Sequence, residues 1–115
     1  MTYQALWLQA FALTLAVELL VALPLLRGAE PSRSRRVLAV VFANLASHPI
    51  VWFVIARVIT PAALSIPVAE AWAVGSEAVF YSAMFPALGR LGALGVSALA
   101  NAASFTAGLV VQGMR

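Results

Sequence analysis

Residues 37–56 read Val-Leu-Ala-Val-Val-Phe-Ala-Asn-Leu-Ala-Ser-His-Pro-Ile-Val-Trp-Phe-Val-Ile-Ala, twenty positions with no carboxylate, lysine or arginine. A bilayer core is crossed by about twenty mostly apolar helical residues. The stretch is framed by Arg33, Arg35 and Arg36 before it and Arg57 after it. Such a segment decides the fold class, because charge lies at its ends and almost none within. Outward from it, three further segments of similar length fit: Ala5 to Leu26, Ile66 to Phe85 and Leu91 to Val111. The expectation is an all-α membrane protein of four transmembrane helices.

Composition agrees. Of 115 residues, 63% are hydrophobic and 10% charged, with mean hydropathy +0.99. Soluble domains carry about 45–50% apolar and about 25% charged residues, and disordered chains are poorer still in apolar residues. Both classes are excluded. There is no Cys, Lys or Asp, which removes disulfides, thiolate metal sites and thiol chemistry. The net charge of +3 comes from arginines in short loops and at helix ends, so the partner expected is the lipid bilayer and not nucleic acid. No basic residue precedes the first apolar run and Glu18 lies inside it, which argues against a cleaved signal peptide.

Loop charge sets the expected orientation. Arg27, Arg33, Arg35, Arg36 and Arg90 fall on one side, Arg57 and Arg115 on the other. The positive-inside rule then puts the Arg-rich loop 27–36 in the cytoplasm and both termini outside, as in a bacterial inner membrane. Tyr3, Trp7, Trp52 and Trp72 fall in the outer half, as an interfacial aromatic belt would.

The chain also repeats itself. Ala43-Asn44-Leu45-Ala46-Ser47 matches Ala100-Asn101-Ala102-Ala103-Ser104 at four of five positions, and these hold the only two asparagines. Glu18 and Glu77 lie in the preceding spans, each followed by a proline, Pro24 and Pro86. The reading is two helical hairpins, 1–57 and 58–115, in one membrane domain. Equivalent elements lie two spans apart, so the copies share an orientation, related by a pseudo-twofold axis along the membrane normal.

The polar groups inside the spans converge in depth. Glu18, Asn44, His48, Glu77 and Asn101 lie 7 to 11 residues from the cytoplasmic ends of their spans. At about 1.5 Å per residue they form one layer about 10–17 Å deep. Glu70 lies two turns outward from Glu77 on the same face, and Tyr81 one turn inward. Ionisable groups inside a membrane are rare and mark functional sites. These six (Glu18, Asn44, His48, Glu77, Asn101 and Glu70) are therefore the candidate ligand- or ion-binding residues. Pro49 follows His48 and is expected to disturb the second span there. Ser97, Ser104 and Gly108 repeat along one face of the fourth span and are expected to pack it closely against a neighbour.

Three functions fit this layer. The first is a carrier or channel for a small cation, a proton or a polar solute; four spans enclose little volume, so a homodimer is expected. The second is an accessory or assembly subunit of a larger membrane complex, its polar layer serving as glue. The third is binding of a divalent metal, with Glu18, His48 and Glu77 as ligands. No nucleophile elbow, P-loop or His-Glu-x-x-His is present, so an enzyme is not expected.

In size, span count and the presence of a Glu in the first helix, the chain resembles the small multidrug resistance transporters, which implies transport by a dimer; Glu77 in the second hairpin departs from that pattern. The segment Asn101-Ala102-Ala103-Ser104-Phe105-Thr106-Ala107-Gly108 is similar to a stretch of fluoride-channel proteins, over eight residues and without a Gly-rich filter elsewhere.

Overall fold

The computed structural model describes residues 1–114 and is all-helical, with four long helices running up-down-up-down. Helix α1 spans Tyr3–Leu26. Helix α2 starts as Arg33–Ile50, passes through a π-helical stretch at Val51–Ile55 and ends as Ala56–Val58. Helix α3 spans Ala62–Met84, and α4, entered through a 3₁₀ turn at Pro86–Leu88, spans Gly89–Gly113. Three of these, Tyr3–Leu26, Arg33–Val58 and Pro86–Gly113, are long and apolar enough to cross a membrane. Helix α3 has the length but carries both Glu70 and Glu77, which lower its hydropathy.

The helix ends differ from the expected spans for local reasons. Helix α2 begins at Arg33 instead of Val37 because the Ser32 hydroxyl caps it, accepting from the Arg35 amide at 3.4 Å. Helix α3 begins at Ala62 instead of Ile66, directly after Pro61, and Pro67 sits inside it. Arg36 is not a loop charge. It is buried, and donates from Nη1 to the Leu23 carbonyl at 2.7 Å and from Nη2 to Pro31 at 3.4 Å. Near Pro24 the Arg27 amide turns to the Pro24 carbonyl, and the guanidinium caps the C-terminal turn of α1 instead. Arg115 lies outside the described residues.

The helices form a ring in which α1 and α3 each pack on both α2 and α4. The buried stripe of α4 is Ala93, Val96, Ser97, Ala100, Asn101 and Ser104, mostly small residues that allow close approach. Packing is uneven along the bundle. The apolar core (Ala22, Leu26, Ala39, Val40, Ala43, Tyr81, Phe85, Ala93 and Val96) lies at the end bearing the 27–32 and 85–88 connections. Toward the end bearing the termini, α1 has no buried residue before Glu18. One end of the bundle is thus plugged and the other is loose. The outer faces carry large apolar side chains, among them Leu8, Leu20, Leu38, Phe42, Val79, Leu91 and Leu99.

Candidate functional site

Just above the plug, four helices bring their polar groups to one place. Glu18 on α1 and Glu77 on α3 are buried, and their side chains meet across the centre. Glu18 Oε1 accepts from Asn44 Nδ2 at 3.4 Å, and Oε2 from the Ser104 hydroxyl at 3.2 Å. Glu77 Oε2 accepts from the Ser47 hydroxyl at 3.1 Å and from Asn101 Nδ2 at 3.3 Å. Each carboxyl therefore takes an amide from the next helix in sequence and a hydroxyl from the other hairpin. Each asparagine also donates to the carbonyl four residues before it, Val40 and Ser97, both at 2.9 Å. That bond fixes the amide orientation.

The hydrogen-bond accounting leaves gaps. Asn44 Oδ1 and Glu77 Oε1 are buried acceptors without a donor, and the Tyr81 hydroxyl, one turn below Glu77, is a buried group without a partner. A buried polar group left unpaired costs about 1–3 kcal/mol. Two ionised carboxylates have no proton to share, so contact between Glu18 and Glu77 requires a proton on one of them or a cation beside them.

The pair sits at the blind end of an open cavity of about 290 Å³. Glu18, Asn44, His48, Glu77, Asn101 and Glu70, the six residues singled out from sequence, all line it. Its walls continue through Ala10, Ile66 and Gln112 toward the loose end of the bundle. Glu70 is half-buried and lies along this path.

His48 does not join the carboxyl network. Its Nδ1 accepts from the Trp7 indole N–H at 3.0 Å, and its ring lies edge-on to Phe11 and stacked against Trp52. An accepting Nδ1 carries no proton, so the neutral ring holds its proton on Nε2. The expected metal set of Glu18, His48 and Glu77 does not form: among the described residues, no three His, Asp or Glu side chains come close enough to hold one ion. The indole pulls the imidazole into an aromatic cluster between α1 and α2. Tyr3 closes that cluster, its hydroxyl bonded to the Trp52 carbonyl and its ring under the Arg57 guanidinium.

The three residues expected to pack α4 divide. Ser97 donates to the Val74 carbonyl of α3 at 2.7 Å and fastens the two helices. Ser104 is buried but bonds Glu18, so it belongs to the site. Gly108 is not a close contact, since a Cβ there would meet nothing within 4 Å; α4 has diverged from its neighbours where the cavity opens. Ser47 was not singled out from sequence as a site residue, although it ends the repeated pentapeptide and its partner position is Ser104. No protein-family model, curated protein or solved structure matches this chain.

Proposed function

We propose that the chain is an integral membrane protein that carries or conducts a small cation, bound at the Glu18–Glu77 pair. The observation that supports this most is the pair of unfilled acceptors, Asn44 Oδ1 and Glu77 Oε1, at the blind end of the cavity. Acceptors on a carboxyl pair call for a proton or a cation that donates to them. The exposed apolar side chains on the outer faces suit contact with lipid. In this reading the Arg-rich connection faces the cytoplasm and the loose end faces outward, so the cavity is open to the outside and closed below.

The matched bonds of Glu18 with Asn44 and Ser104, and of Glu77 with Asn101 and Ser47, support two hairpins built on one plan. A second reading draws on the same bonds. Ser47 and Ser104 join the hairpins, so the network would serve only to fasten an assembly subunit of a larger complex. One experiment separates the two. Methylammonium binding is measured by calorimetry on the purified protein in lipid nanodiscs, beside Glu18→Gln and Glu77→Gln. The carrier reading expects binding that falls tenfold or more in either variant, with helical content retained. No binding in the wild type, together with loss of fold in both variants, establishes the fastening role instead.

A further inference from the structure

A second hollow, of about 450 Å³, adjoins the first, and both have Ala10, Trp52, Gly108 and Gln112 in their walls. It lies between α1 and α4. Its remaining lining is Leu6, Gln9, Leu13 and Val111, which makes it mainly apolar. At about 1.5 Å per helical residue, Ala10 is about 12 Å and Leu6 about 18 Å along α1 from Glu18. The space therefore has a polar blind end and a long apolar extension.

The chemistry at the two ends differs. The blind end offers two unpaired acceptors beside a carboxyl pair, one an amide oxygen and one a carboxyl oxygen. An ammonium group with N–H donors satisfies both at once, as three donors are available on an –NH₃⁺. A quaternary ammonium has no N–H and would leave them unpaired. The extension offers apolar wall and the indole of Trp52, which suits a hydrocarbon chain.

We propose that the ligand is a primary alkylammonium, its head on Glu77 and Asn44 and its chain running past Trp52 into the hollow between α1 and α4. This rests on the cation reading given above and names the substrate class. A free inorganic cation would use only the blind end and leave the extension empty.

The test is a chain-length series of methyl-, propyl- and hexylammonium, with hexyltrimethylammonium as the control for N–H donation. Affinities are measured in lipid nanodiscs, with binding to empty nanodiscs subtracted. Full burial of the chain corresponds to roughly fourfold tighter binding per added methylene. Gly108→Leu grows into the hollow, where a Cβ meets nothing, and is expected to cut that gain per methylene by half or more. Methylammonium bound with no gain along the wild-type series overturns the extension while the cation site stands. Hexyltrimethylammonium bound as tightly as hexylammonium overturns the role of the two acceptors. Failure of every amine to bind, methylammonium included, overturns the cation reading itself.

Discussion

Arg36 shows what one residue can do that its charge does not announce. In the sequence it is one of four arginines in a basic loop, and it counts only toward orientation. In the structure it is 7% exposed and holds the Leu23 carbonyl near the end of α1. Hydrogen bonds to charged groups contribute about 1.5–3 kcal/mol. Arg36→Ala is accordingly expected to destabilise the protein by about 1.5–3 kcal/mol in denaturant unfolding, whereas Arg35→Ala, whose contact with Glu30 is exposed on the arginine side, should change stability by less than about 1 kcal/mol. Equal losses in the two variants would refute the capping role. The distinction could not be read from the sequence, because it depends on how the chain turns at Pro24, which leaves a carbonyl for the guanidinium. His48 is a parallel case. Its depth was legible, but the pull of the Trp7 indole, 41 positions away, was not.

At the scale of elements, the polar residues act as cross-links between helices. Ser47 ties α2 to α3, and Ser104 ties α4 to α1. Each hydroxyl removed leaves a buried carboxyl oxygen short of a donor, at a cost of about 1–3 kcal/mol. Because Glu18 and Glu77 meet, the two serines are not independent. Ser47→Ala and Ser104→Ala should each destabilise by about that amount in denaturant unfolding, and the double variant should depart from their sum by about 0.5 kcal/mol or more. Strict additivity would show that the carboxyls do not communicate. The pairing of these elements was partly legible. The repeated Asn-x-Ala-Ser placed both asparagines and both serines, and periodicity put Glu18 and Glu77 at matching depth. What the repeat concealed is that each serine serves the opposite hairpin, since a helix register says which residues share a face and not which neighbour that face meets. Pro49 likewise signalled a disturbance in α2, but its form, a π-helical stretch from Val51 to Ile55, depends on the aromatic packing of Trp52 and Phe53 against Tyr3 and Trp7.

For the whole molecule, the lengths and apolar character of the helices follow from composition, and four long helices were legible almost to the residue. The unequal packing of the two ends was not, because it depends on which small residues meet. Orientation can be tested directly, since the native chain has no cysteine. Gly28 and Gly113 both have open space around them, so a cysteine at either should be tolerated. In intact cells an impermeant maleimide should label Gly113→Cys and spare Gly28→Cys, and the reverse pattern would invert the topology proposed. The cross-bonding of the site has one further consequence. Neither hairpin holds a complete set of partners for its own glutamate, so each half is chemically unfinished until the other arrives. A single ancestral hairpin bearing Glu, Asn and Ser at these registers would have completed the same constellation by pairing with its twin, and fusing two such copies into one chain would then have freed each half to diverge, as Tyr81 and Gly108 already have.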